Sequence, residues 1–516
     1  MTMVDKFLIE TDQNEFQPNL WKNGDSNRLP KRCPETQLNV LVVGAGPSGL
    51  MTALECWRKG HNVVKILERS NGPVFTGDVI VIGPSALRAF RHWPDMCAEL
   101  EKSKMDSIMY YRKHNGELIL GPTSLGHNDP EYTAAWKGIP FAAPHQIRKD
   151  FYRMLLRQVA RVGIRVEYGQ RIERYFDDEA AMLGGVITDQ GAIMFADLVV
   201  AADANRTRSD LLIAGAHTPS RSSGMSVYRT AFPTERALQD EAFRAQWGDV
   251  IDKGISHHEF WMGPGMHLGL FISPDFVAFG LTPRDSFLHE GGNEPIESWE
   301  PDVDPEEVTK VLDRIPDWNP VIKSLVNNTQ RGSIVHWPLL WRNLRREWTS
   351  KSGRVVQVGD AAHSSIPASI SGGTLALEDA VTLASCLHLS CSSAGSKGAP
   401  LGARIYNLLR YQRVSCVQKM SFVNAEGLSG SSMEDAIKDN PESVRVRFPR
   451  WLYRHDPEAY VYEKYGQAFA HLIEGADFEN TNLPPRHTFE PWTIEQIHED
   501  MMAGKRVADF LDGDWS

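Results

Sequence analysis

Cysteine is scarce in this chain. Six stand in 516 residues (Cys33, Cys56, Cys97, Cys386, Cys391 and Cys416) with no CxxC pair, which argues against a disulfide scaffold and fits reduced thiols in the cytoplasm. Cys386, His388 and Cys391 are close in sequence, but their spacing is wrong for zinc, so no metal is expected. Positive charge is also in deficit. A net charge of −11 excludes the broad basic surface that phosphate backbones require, so nucleic acid is not an expected partner. No apolar run reaches the roughly 20 residues needed to span a bilayer, and the opening MTMVDKFLIETDQNEF lacks the basic and apolar regions of a secretory signal. A soluble, cytoplasmic globular protein is the expectation.

The composition supports large cores: 42% of residues are hydrophobic and 23% charged. The length exceeds what one core usually organises, so two or more packed units are expected. Residues 1–37 are polar and read as an N-terminal extension. From Leu38, "LNVLVVGAGPSGLMTALECWRKGHNVVKILERS" reads as strand, glycine-rich turn, amphipathic helix and second strand. Gly44, Gly46 and Gly49 permit a tight turn, backbone approach to a pyrophosphate and close helix packing. Glu68, ending the second strand with Arg69 beside it, stands where a ribose-binding acid is expected. The unit therefore points to a dinucleotide, NAD(P) or FAD, which the fingerprint alone does not separate.

Further along, "GDVIVIGPSALRAF" suggests a strand and a short helix, and "HQIRKDFYRMLLRQVARVG" carries helical apolar spacing at Phe151, Leu155 and Val159. Three short β-like runs follow. Between roughly 224 and 345 the chain is rich in aromatic and β-branched residues and reads as a mostly antiparallel sheet. "GRVVQVGDAAHSSIPASISGGTLALED" then gives a buried strand, a loop and a helix from about Leu375 to Leu389. "SCSSAGSKGAPLG" reads as a surface loop before another helix, and residues 426–516 as helical decoration.

Four separated motifs, "GAGPSG" with Glu68, Arg148 opening "RKDFYRMLL", "VVAADANRTRS" and "GRVVQVGDAAHSSIP", together resemble the single-component FAD-dependent monooxygenases of the aromatic (salicylate and p-hydroxybenzoate) hydroxylase type, particularly the fungal salicylate-hydroxylase-like branch. The resemblance spans residues 38 to about 425. It implies an α/β (α+β) fold: a Rossmann-type FAD-binding domain in two parts (38–222 and 351–425), a β-sheet substrate domain (223–350) and a helical C-terminal extension (426–516). It further implies that Asp360, after Gly359, holds the FAD ribityl chain, and that Arg148 reaches towards the cofactor's phosphate and ribityl region. Pro367 would lie near the isoalloxazine, Gly372 and Gly373 at its pyrimidine edge, and Asp203 would help to hold FAD. Two departures stand out. Ala204 replaces the usual glycine after Asp203, so the turn geometry is expected to differ, and Asp210 stands where arginine is common.

The resemblance also implies a mechanism in which NADPH or NADH transiently reduces FAD, O2 gives a flavin C4a-hydroperoxide, and a small aromatic, polyketide or alkaloid-type molecule is oxygenated. Hydroxylation of a phenol benefits from a base or hydrogen-bonding group, for which Tyr228, Arg229, His257, His258, His267 and His336 are candidates, with Tyr228, Arg229, His258 and His336 the preferred four. Baeyer–Villiger insertion or epoxidation on the same scaffold, a flavin oxidase or dehydrogenase, and a non-enzymatic flavin sensor are the alternatives. No WxWxIP motif supports a halogenase. A monomer or homodimer is expected.

Overall fold

The computed structural model describes residues 16, 29–75, 79–103, 105, 107–123, 145–218, 220–288, 303–429 and 433–516. Most of the 1–37 extension lies outside the described residues.

Strand β1 (Asn39–Val43), helix α1 (Pro47–Arg58) and strand β2 (Asn62–Leu67) form the first unit. Four of the five β1 residues are buried, the near-continuous apolar pattern of a strand covered on both faces. It sits between β2 and β3 (Leu198–Ala201) in a parallel sheet. β9 (Val355–Gln357) and the short strand Val166–Glu167 complete the five-stranded order β9, β3, β1, β2, 166–167. Helix α2 (Arg148–Arg161) packs against α1 through Phe151, Leu155 and Val159, all buried. Each such side chain removed from water contributes about 1.5–3 kcal/mol.

The second large element is a seven-stranded sheet. Its order is β8 (Val335–Trp341), β4 (Arg221–Pro233), β7 (Phe276–Pro283), β6 (Met266–Ile272), β5 (Ser256–Gly263), then Ser107–Lys113 and Leu118–Thr123. All neighbours are antiparallel except β5 with Ser107–Lys113. Two strands thus come from chain ahead of residue 223, where the sequence reading placed none of this sheet. Helices Glu241–Asp252, Pro305–Leu312 and Pro320–Asn327 cover one face, closing a core that includes Phe243, Trp247, Trp261, Phe279 and Leu325. The opposite face turns towards the parallel sheet.

Helix α3 (Gly372–Ala394) is longer at both ends than its apolar pattern suggested, and α4 (Ala399–Ser429) follows it after a single short turn. The surface loop expected at "SCSSAGSKGAPLG" does not form. Gly398 and Gly402 explain why: a Cβ at Gly398 would meet the Ser390 carbonyl oxygen at 2.0 Å, and one at Gly402 would meet Ser390 Oγ at 2.4 Å. The small residues that look like linker composition are there to let two helices touch. The C-terminal region is likewise not decoration. Leu452, Val461 and Trp515 join the main core, and Arg413 of α4 donates to the carbonyls of Trp451, Leu452 and Asn482. Among the described residues no helix is long and apolar enough to cross a membrane.

Candidate active site

The turn after β1 works as the glycine spacing predicts. Gly44 has φ +101°, and a Cβ there would lie 2.2 Å from the Ala202 carbonyl oxygen. A Cβ at Gly49 would strike the Gly44 carbonyl oxygen at 1.9 Å, so α1 is locked onto the turn. Gly46 differs: nothing lies within 4 Å of a Cβ built on it, and it faces a cavity. Its bare backbone, at the start of α1, is the element free to meet a pyrophosphate. Glu68 accepts the Ala45 N–H at 2.9 Å through one oxygen and the Ser70 N–H at 2.9 Å through the other, which fixes the carboxylate beside the turn. Arg69 is exposed next to it.

The cavity has a volume of about 550 Å³. On one side it is lined by Gly46, Ser48, Arg148, Asp360, Pro367, Gly372 and Gly373, and on the other by β4, β5, β6 and β7 of the large sheet. Residues separated by more than three hundred positions therefore share one space. Asp360 opens into it although protein crowds the group on its other sides. That burial raises the carboxyl above its ordinary value, with Asp379 adding to the effect and His363, Arg342 and Arg148 opposing it. Burial lowers the guanidinium of Arg148 from its usual value, while Tyr152 and Asp360 pull it back. The two groups hold each other's charge across the cavity wall. Gly359, at φ +60°, packs so close to Ser48 that a Cβ would lie 2.7 Å from its Oγ.

Asp203 lies outside the cavity lining but borders it through Ala204. It accepts a hydrogen bond from the Tyr175 hydroxyl at 2.8 Å. Burial raises its carboxyl, and hydrogen bonds from Thr207 and Tyr175 oppose that. Ala204 stands in the left-handed conformation at φ +62°, the backbone that glycine adopts freely. Asp210, the second departure, is buried and bound to Arg342 at 3.2 Å and to Arg345 at 2.6 Å. Arg342 in turn donates to the carbonyls of Asp360 and Ala361 at 2.8 and 2.6 Å. The acid thus anchors the arginine that holds the Asp360 loop, a role the sequence reading missed because the partner lies over a hundred residues away.

The polar residues of the large sheet divide by parity. Arg229, His258 and His267 point into the cavity. Tyr228 and His336 do not: they stack on each other at 4.2 Å, Tyr228 within the core under the covering helices. His257 lies on that far side too, beside the buried carboxylate of Glu259 at 3.4 Å. Successive strand residues face opposite ways, so Tyr228 and Arg229 cannot share a site. Tyr228 and His336 thus stand outside the cavity lining that holds Arg229, His258 and His267. Burial pulls Arg229 down to about 10. His267 is lowered to about 4 by burial, with Arg284 adding to the effect, so its ring is neutral at physiological pH.

Within the loop 364–371, Ile370 is left-handed at φ +53°, an unusual conformation for a β-branched residue. Ser371 Oγ donates to the Ser369 carbonyl at 2.8 Å, and Ser369 Oγ accepts the Ser371 N–H at 3.1 Å, which brings the chain into α3. The first turn of α3, at Gly372 and Gly373, is thereby aimed into the cavity. A bare turn at Gly46, a buried Ser48 Oγ without a partner among the described residues, the open carboxylate of Asp360 and a helix start at Gly372 form a fitting cradle for a flavin dinucleotide. Among the described residues no group of His, Cys, Asp and Glu is arranged to hold a metal ion.

A family model for the FAD binding domain matches residues 37–399. An FAD-dependent monooxygenase of Claviceps purpurea is 96% identical over 514 residues, covering 100% of both chains. The FAD-dependent monooxygenase AacuC of Aspergillus aculeatus is 68% identical over 510 residues, covering 99% of each. The crystal structure of FqzB aligns with a TM-score of 0.74 at 25% identity, covering 88% of this chain and 100% of that one. The cradle, the matched domain and these relatives agree: the chain belongs to the FAD-binding-domain family and is an FAD-dependent monooxygenase.

Proposed function

We propose that this monooxygenase consumes NADPH or NADH and O2 to hydroxylate a small aromatic, polyketide or alkaloid-type metabolite, acting as a monomer or homodimer in the cytoplasm. The observation that carries the reading is the single cavity in which the flavin cradle meets an apolar sheet face bearing Arg229, His258 and His267. Bound FAD supplies hydride acceptance and oxygen activation. The chain's own residues do the rest. Arg148 and Asp360 would hold the cofactor, with Asp203 supporting them from behind Ala204 and Gly44, Gly46, Gly49 and Glu68 at the adenosine end. The start of α3 at Gly372 and Gly373 would favour negative charge on a group bound against it. Phe260, Phe271 and Leu339 keep water out. Arg229 attracts an acidic substrate oxygen and favours its anion, and the neutral ring of His267 offers a hydrogen-bonding nitrogen on the same cavity face.

The purified protein should show a flavin absorption band, and NADPH or NADH should bleach it faster when a phenolic substrate is added. The product should have gained one oxygen atom. No flavin band after incubation with FAD would overturn the reading. Stoichiometric H2O2 with a desaturated, unoxygenated product would identify an oxidase or dehydrogenase instead, and a ring-inserted oxygen a Baeyer–Villiger reaction.

A further inference from the structure

Two neighbouring glycines stand on the cavity face of the large sheet where the protein itself does not need them. Gly269 of β6 and Gly280 of β7 are cross-strand partners and both line the cavity. Neither has the positive φ that would call for glycine. A Cβ at Gly269 would come no nearer than 3.9 Å to His258 Nε2 and Phe260 Cε1, and one at Gly280 no nearer than 3.7 Å to Arg229 Cγ and Val227 Cγ2. Among the described residues, alanine fits both positions without displacing a neighbour. Glycine inside a strand weakens it, and its usual justification is the close approach of a backbone or a ligand. Among the described residues no backbone approaches here, which leaves the ligand.

The surroundings form a frame. Gly280 pairs with Arg229 on β4, and Gly269 with Phe260 on β5, so one row across four strands reads Arg229, Gly280, Gly269, Phe260. The two outer strands are about 14 Å apart, three strand spacings. At one end His267 and Thr282 are paired; at the other, Phe271 pairs with Ala278 and stacks on His258 at 3.9 Å. The result is a bare floor two strands wide, walled by aromatic rings, with a guanidinium at one edge.

We propose that the Gly269–Gly280 pair is a specificity-determining platform on which a planar fused-ring phenol lies flat, its acidic hydroxyl towards Arg229 and its opposite edge against Phe260. This deepens the proposed function and rests on it. A flat π-system needs a flat support, and peptide planes without side chains provide one. A single Cβ on that floor lifts the ring out of contact, and a puckered saturated ring touches the same floor with only part of its atoms.

The test uses FAD-loaded wild type, Gly269→Ala and Gly280→Ala, titrated with naphthol and with its fully saturated counterpart, decalol. Binding is read from the perturbation of the flavin band and, independently, from quenching of naphthol fluorescence. Flavin content and the midpoint of thermal unfolding are recorded for each protein. Naphthol should bind wild type and decalol should not, while each alanine variant should keep its flavin, unfold at the wild-type temperature or higher, and bind naphthol at least about fivefold more weakly. A smaller loss in both variants, equal binding of decalol, or no binding of naphthol would overturn the platform. So would loss of flavin or of stability in the variants, since the glycines would then serve the fold. Failure of wild type to take up FAD is a separate result: it removes the monooxygenase reading, while naphthol fluorescence still reports on the platform.

Discussion

The carboxylate of Asp379 on α3 and the imidazole of His363 lie 2.6 Å apart, and the same oxygen accepts the backbone N–H of Gly359 at 2.9 Å. Its other oxygen receives Nε of Arg410 at 2.7 Å. Burial alone would raise this carboxyl, but His363 and Arg410 pull it below its ordinary range, so it is ionised. One buried charge therefore ties α4, α3 and the turn that presents Asp360. Asp379→Asn keeps the shape and removes the charge, leaving Arg410 partly uncompensated. The expected loss is about 3 kcal/mol of stability, read from denaturant unfolding, together with weaker FAD retention after gel filtration. An unchanged midpoint with full flavin content would show that the turn holds itself.

Ala204 offers the opposite experiment. Its left-handed backbone costs an L-residue roughly 1–2 kcal/mol, and Ala204→Gly removes that strain. Glycine also gives the unfolded chain more freedom, which offsets part of the gain. The net expectation is a stabilisation of about 0.5–1 kcal/mol, seen as a higher thermal midpoint. A lower midpoint would mean that the methyl group contributes packing beyond its strain.

The flavin cradle was legible because its chemistry is local: Gly44, Gly46, Gly49 and Glu68 stand within one unit of strand, helix and strand, and their spacing encodes the turn. The sheet site was not, although its residues were among the candidates. Telling Arg229 from Tyr228 requires knowing which strand face meets the cavity, and polar alternation reveals that only when one face is wet. Here helices bury one face and the flavin half of the molecule covers the other, so both faces look apolar. Glu259 sharpens the point, since it is buried on the far face and satisfied by Arg112, Trp247 and Trp261. Arg342 and Asp210 were hidden for a different reason. Their pairing is long-range, and a local reading sees only an acid where a base was expected.

That parity makes a paired prediction. Arg229→Ala should reduce substrate-stimulated NAD(P)H oxidation by about 10- to 100-fold through KM, the effect of losing a charged hydrogen bond, with flavin content unchanged. Tyr228→Phe, one residue away, should stay within about twofold of wild type because its ring faces the covering helices. Steady-state kinetics on both variants decide the matter. Equal losses would mean that the strand is read with the wrong face.

His267 gives the pH dependence a defined sign. Burial, with help from Arg284, lowers its pKa from 6.5 to about 4. As pH falls below 6.5 the unfolded ring takes up a proton and the folded one does not, so the unfolded state binds more protons and stability falls. The loss ends near pH 4, where the folded ring also titrates, and across that window it amounts to about 3 kcal/mol. His267→Gln carries no such group. Urea unfolding at a series of pH values between neutral and the folded pKa should show the wild type losing stability faster than the variant as pH falls. Parallel curves would show that the folded ring picks up its proton as readily as the unfolded one, so that burial does not hold it neutral.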